Sequence, residues 1–161
     1  MFILIDTREH ADQIGKIIDT FQQERIEYDR TKLYVGDYMD YLHPELVIDR
    51  KHNFLELAAN CTEKRDRSGT TRFVRELQRA KAIGARIVIL VEQNSYEYRG
   101  KKIDVDCLAD LMLWAHPRTD VPGEKIYRVF DAWCHKYPMS VQFCDKRSTG
   151  RRIVEILGGK Q

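Results

Sequence analysis

The sequence predicts an α/β fold, a sheet covered by helices on both faces. Three observations lead there. Residues 86–91 (RIVILV) are a continuous β-branched run, the pattern of a strand buried on both sides. Ile14, Ile17, Ile18 and Phe21 recur at i, i+3, i+4 and i+7, which gives a helix one apolar face. The two patterns then intermix along the chain in the order β-α-β-β-(α)-α-β-α-α-β-α.

Taken in order, residues 2–5 (FILI) are a short apolar run and read as a buried strand, followed by the helix around Ile14–Phe21. Residues 27–35 and 45–49 (ELVID) read as strands, with Gly36 and Asp37 as the turn between them. Leu55, Leu57 and Ala58 suggest a short helix. Residues 62–71 (TEKRDRSGTT) are a polar surface loop, expected to be mobile. A helix over 71–83 buries Phe73, Leu77 and Ala80, and Gly84 stands where a C-cap glycine is expected. After the strand at 86–91, YEYRGKKIDV reads as a hairpin around Arg99 and Gly100. Helices are expected near 104–114, with Leu108, Leu111 and Met112 inward, and near 124–136. MSVQFC is a last strand and Thr149–Leu157 a last helix.

With 161 residues, 43% hydrophobic and 32% charged, the chain fits one domain with a real core; disorder and membrane spanning do not fit. No uncharged run approaches the roughly 18 residues of a membrane span, and the apolar start is too short for a signal peptide. A cytoplasmic protein with reduced cysteines is therefore expected. Cys61, Cys107, Cys134 and Cys144 form no CxxC pair and read as small apolar residues; a metal site from His116, Cys134, His135 and Cys144 is the weaker alternative. The 27 basic and 25 acidic residues sum to +2, which excludes capture of a partner by bulk charge but can hide a basic face beside an acidic pocket.

Such opposites are visible. Asp6 ends the first apolar strand, Asp37 follows a glycine between strands, and Asp49 ends ELVID. Charged acids at strand ends are costly unless paired, and a divalent cation with oxygen ligands is the obvious compensation. Lys51 is two residues after Asp49, so on a strand both side chains share a face. Acids to hold a metal and a lysine beside its activated water are the layout of a metal-dependent nuclease. Taken alone, such spacing also describes surface charges at strand ends.

The segments IDTRE at 5–9, VGDY at 35–38 and IDRK at 48–51 occur in that order with short gaps. Together they resemble the ERCC4 nuclease family, the XPF/Mus81-type structure-specific endonucleases, whose D-x-R-E, V-G-D-Y and V-E-R-K elements lie on a restriction-endonuclease-like, PD-(D/E)xK fold with a mixed sheet flanked by helices. RFVRELQRAKAIGARIVILVE looks like the family's arginine-led helix and following strand, and LMLWAHPR and FCDKRSTGRRIVEIL resemble later parts of short phage- and prophage-type members. The resemblance covers nearly the whole chain. It implies a single nuclease domain over 1–161 without a helix-hairpin-helix segment, acting in DNA repair or recombination on flaps, forks or junctions with Mg²⁺ or Mn²⁺ as cofactor.

Carried over by position, Asp6, Asp37 and Asp49 become the metal ligands, with the Arg50 carbonyl as a further one, and Lys51 the catalytic lysine. Arg8 is assigned to phosphate binding or acid positioning, and Arg50 to an ion pair orienting the acids. The sequence departs from the family at Asp49, where the family has Glu, at Leu55, where the family has a further Asp with Glu56 one place later, and in the longer basic loop before Arg72. Residues 64–86 hold eight basic residues against two acids. Arg72, Arg75 and Arg79, with Lys64, Arg65 and Arg67 from the loop, are the expected phosphate contacts; a solvated helix face is the plainer alternative. Tyr34, Tyr38 and Tyr41 could stack on unpaired bases but are read as core or sheet surface. Trp114, Trp133 and Tyr137 are read as core or a dimer face, and His10, Arg151 and Arg152 as incidental surface residues.

Two other readings are open. One is a non-catalytic DNA-binding module of the same fold that partners another nuclease; the retained acids and Lys51 argue against it. The other is a small-molecule α/β binder with Asp6 as acceptor acid, which lacks a glycine-rich phosphate loop after the first strand. With little room beyond the catalytic core, substrate selection falls to that core, a homodimer or a partner.

Overall fold

A computed structural model describes residues 1–159. A six-stranded mixed sheet runs in the order β2-β1-β3-β4-β5-β8, built from β1 (Phe2–Asp6), β2 (Glu27–Thr31), β3 (Tyr38–Asp40), β4 (His43–Lys51), β5 (Arg86–Val91) and β8 (Met139–Phe143). β1 and β2 are parallel, β3 is antiparallel to both β1 and β4, and β4, β5 and β8 are parallel. β6 (Ser95–Tyr98) and β7 (Lys101–Asp104) form the separate hairpin expected around Arg99 and Gly100.

The side-chain alternation of β5 divides the interior. Ile87, Ile89 and Val91 join one apolar cluster with α2 (Phe54–Asn60), α3 (Arg72–Ala82) and α4 (Gly123–Lys136). Val88 and Leu90 join a second cluster on the opposite face, with α1 (Gly15–Gln23) and α5 (Thr149–Leu157). The sheet is thus covered on both faces, as the continuous apolar run predicts. α1 and α5 pack closely at Gly150, where a Cβ would lie 2.7 Å from the Thr20 side chain. On the other face Phe54 meets Tyr96, Trp114 and Phe143 edge-on at 6.0–6.3 Å.

Several expectations shift. The second strand stops at Thr31, because the chain must bend to bring Leu33 and Val35 inward. β2 and β4 are not neighbours; β1 and the three-residue β3 lie between them. β3 is too short to carry a period, and Gly36–Asp37 is the approach to it rather than a turn between long strands. The helix near 104–114 shrinks to one 3-10 turn, Leu108–Leu111, with Leu111 buried and Met112 exposed. Asp66 pins the loop expected to be mobile, its Oδ1 accepting from the Ser68 and Thr70 N–H groups at 2.8 and 3.2 Å. Trp114 and Tyr137 are core, with Trp133 packed against them.

All four cysteines are free. Cys134 packs on the α4 face and Cys144 on the α5 face of the sheet, so the His116–Cys134–His135–Cys144 alternative would need ligands from both sides of it. No helix among the described residues is long and apolar enough to cross a membrane.

Because Phe54 joins the hairpin, the 3-10 turn region and β8 into one aromatic cluster, Phe54→Ala should cost about 3–5 kcal/mol of stability in urea denaturation. A loss under about 1 kcal/mol would show that the cluster closes around the cavity.

Candidate active site

The site forms where β1, the approach to β3, the end of β4 and the start of α3 converge. Gly36 has φ +73°, and a Cβ there would lie 2.9 Å from the Ile48 carbonyl oxygen, so only glycine lets the chain pass this close to β4. That crossing sets Asp37 beside β4: the Arg50 N–H donates to Asp37 Oδ2 at 2.8 Å, and the Asp37 N–H donates to the Ile48 carbonyl at 2.7 Å.

Along β4 the alternation sends Asp49 and Lys51 to the α3 face and Arg50 to the α1/α5 face. The Lys51 ammonium forms an ion pair with Asp49 Oδ1 and lies 5.4 Å above the Phe73 ring. Asp49 Oδ1 is buried, and it is the oxygen that the ammonium contacts. Burial works against the Lys51 charge, but Asp49, Asp37 and Glu76 outweigh it and hold the pKa above its ordinary value. Lys51 is therefore an ammonium, able to stabilise negative charge and unable to act as a base. Asp37 is pushed the other way. Burial, then the charges of Asp49 and Glu9, raise its carboxyl pKa well above the usual range despite the Arg50 N–H and Lys51.

The structure places the remaining predicted residues differently from one another. Asp6 is buried and fully engaged: Oδ1 accepts from the Arg8 N–H and Nε, both at 2.7 Å, and Oδ2 accepts from Arg8 Nη2 at 3.0 Å and the Leu33 N–H at 2.7 Å. Burial opposes its charge, but these bonds prevail and lower its pKa. It fastens the strand end and the 32–37 segment. Its neighbour Arg8 is half-exposed and feels Glu76 and Asp37 as well as Asp6. The Arg50 guanidinium does not reach the three aspartates. It is enclosed by Glu9 (Nε–Oε2 2.7 Å) and Glu92 (Nη1–Oε2 2.9 Å), on the opposite face of β4. What Arg50 gives Asp37 is its backbone N–H.

The basic residues divide similarly. Arg72 is exposed and pairs with Glu63 at 3.6 Å, Arg79 lies over the Tyr34 ring, and Arg75 pairs with Asp66. Lys64, Arg65 and Arg67 are exposed on the loop, with Arg65 opening onto a groove of about 640 Å³ against α4.

Sequence reasoning missed four residues. Glu76, between Arg72 and Arg79 on one face of α3, accepts from the Gly36 N–H at 3.0 Å and faces Lys51 and Arg8. Glu9 accepts from the Tyr38 hydroxyl and Arg50 at 2.7 Å each. Glu92 and His52 complete the Arg50 enclosure. Glu92 directly follows the most apolar strand, the same signal that singled out Asp6 and Asp49. Glu56 has no place at the acids; it accepts from the His52 N–H at 3.1 Å, while its own N–H donates to Asn53 at the start of α2.

A hard divalent cation fits this donor set. Asp37 and Asp49 supply carboxylate oxygens at a point where two acids repel each other, with the Lys51 ammonium beside Asp49. No group of three or more His, Cys, Asp or Glu side chains among the described residues forms a cage. Mg²⁺ accepts such a sparse site because it keeps several waters and takes one or two carboxylates plus substrate phosphate.

An ERCC4 domain family model matches residues 5–147. No curated protein sequence matches the chain significantly. Among solved structures, XPF from Aeropyrum pernix superposes with a TM-score of 0.63 at 14% identity, over 100% of this chain and 66% of that one. XPF from Aeropyrum pernix in complex with DNA gives 0.63 at 14%, over 98% and 63%. The chain thus spans just under two thirds of the length of these structures.

In the metal-free protein the folded state binds the Asp37 proton more tightly than the unfolded state, so the Asp37 contribution to stability falls as pH rises from about 4. Asp37→Asn should therefore be more stable than the wild type in EDTA, by about 1 kcal/mol near pH 8. That advantage should shrink toward zero near pH 4. Urea denaturation across this range measures the difference, and a pH-independent one would remove Asp37 from the charge cluster.

Proposed function

Because this chain belongs to the ERCC4 domain family of nucleases, we propose that it is a Mg²⁺- or Mn²⁺-dependent endonuclease that hydrolyses a phosphodiester in branched DNA, such as a flap, a fork or a four-way junction. The observation that carries the reading is the meeting of Asp37, Asp49 and Lys51, two mutually repelling acids beside a retained ammonium.

Asp37 and Asp49 would hold the metal, which when bound supplies a water of lowered pKa and neutralises phosphate charge. The chain's own part follows from the geometry. The Arg50 N–H and the Gly36 crossing hold Asp37 in place, and Glu76 fastens Gly36 from α3. The Phe73 ring and Asp49 hold the Lys51 ammonium, which would meet the charge that grows on the phosphate oxygens in the transition state. Arg8, which feels Asp37 and Glu76, together with Arg72 and Arg79 on the α3 face of Glu76, would take flanking phosphates, Arg8 from its pairing with Asp6. In-line attack would leave a 5′-phosphate and a 3′-hydroxyl. Asp6 enters this reading as the residue that holds Arg8 and the 32–37 segment, and the ligand set is narrowed to Asp37 and Asp49.

Cleavage of end-labelled flap, fork and four-way junction substrates with Mg²⁺ or Mn²⁺ tests the proposal. Asp49→Asn and Lys51→Ala should each lower the single-turnover rate by at least about 10²-fold while DNA affinity stays within a few-fold. Wild-type cutting by either variant, or undiminished cutting in EDTA, would overturn the assignment.

A further inference from the structure

Tyr34 is 64% exposed, although it belongs to a segment fixed on both sides of it. Leu33 and Val35 are buried, the Leu33 N–H is bound by Asp6 and the Gly36 N–H by Glu76. The backbone that carries the ring is therefore rigid, and the ring points outward between two inward side chains. The Arg79 guanidinium lies 5.6 Å from its centroid. Arg79 follows Glu76 by three residues on α3 and shares its face. The ring is thus anchored no more than about 7 Å along the chain from Gly36, the most that two residues can span. Phosphate contact explains Arg79 but not an exposed aromatic ring beside it. A planar π surface backed by a guanidinium is suited to a nucleobase. A base inside a duplex already has both faces stacked, so only an unpaired base can lie on this ring.

We propose that Tyr34, backed by Arg79, is a stacking site for an unpaired base next to the scissile phosphate, which makes DNA with a single-stranded nucleotide at the cleavage point the preferred substrate. The proposal rests on the nuclease reading for its position relative to the cut, while the stacking itself can be measured without cleavage. Tyr41 provides the contrast: it is also exposed, but it follows the far end of β3 and packs on Phe2 at 6.0 Å, away from the acids.

The test uses the full chain in EDTA with a forked oligonucleotide carrying 2-aminopurine at the first unpaired position, and a fully paired duplex of the same sequence. The wild type and Tyr34→Phe should quench the fluorescence of the fork. Tyr34→Leu should lose the quench and about tenfold in fork affinity, with duplex affinity unchanged. Tyr41→Ala should behave as the wild type. An unchanged quench in Tyr34→Leu, or an equal loss on fork and duplex, would overturn the stacking site, as would failure to bind either DNA. Cleavage with Mg²⁺ or Mn²⁺ separates the two ideas. Tyr34-dependent fork binding without cutting under any metal would sink the nuclease reading alone. Normal cutting with no Tyr34 dependence in binding would sink only the stacking site.

Discussion

The buried Arg50 holds the site together. A guanidinium with almost no exposed surface is tolerable only when its charge is matched, and Glu9 and Glu92 match it from two sides at 2.7 and 2.9 Å. Burial disfavours its charge, but Glu9, Tyr38 and Glu92 more than restore it, so the arginine stays charged. Glu9 in turn accepts from the Tyr38 hydroxyl, which joins the segment after β1, the first residue of β3 and β4 in one bonded unit. Because Arg50 is locked, its N–H is in a fixed position to hold Asp37. The acid that faces the α3 side is thus oriented by a charge network on the opposite face of the same strand.

The α3 side is deliberately less comfortable. Burial, then the charge of Asp49, raises the Asp37 pKa, and a single ammonium, Lys51, sits on Asp49. Such an arrangement costs stability in the chain by itself, and in the proposed reading a bound cation would offset the repulsion. Asp6 shows the contrast. It belongs to the same run of acids in the sequence, yet it accepts four hydrogen bonds, and these outweigh its burial and hold its pKa low.

The basic strip has a comparable division of labour. Arg75 is spent on Asp66 and helps order the loop, while Arg72 and Arg79 share the helix face that Glu76 ties to Gly36. The net charge of +2 is therefore a sum of local opposites. An acid pair at the end of the central strand β4 lies beside the basic face of α3, a charge pattern suited to a cation and phosphates together.

Periodicity alone determined much of this protein. The double-sided burial of β5, the apolar faces of α1 and α3 and the bounds of α5 all follow from spacing, because burial repeats with the period of the element. The shared face of Asp49 and Lys51 follows from the same rule, and the ordered motifs by themselves resemble the ERCC4 family. The tertiary structure decided the rest. A three-residue strand such as β3 has no period to read; it exists because β1 and β4 each offer it an edge. Which of three similar aspartates is free and which is saturated depends on partners 2 to 27 residues away, Arg8 and Leu33 for Asp6, Arg50 for Asp37. Glu76 reaches the site only when α3 docks on the sheet. Spacing records which face a side chain takes, but only packing brings distant faces together and sets one buried acid against another.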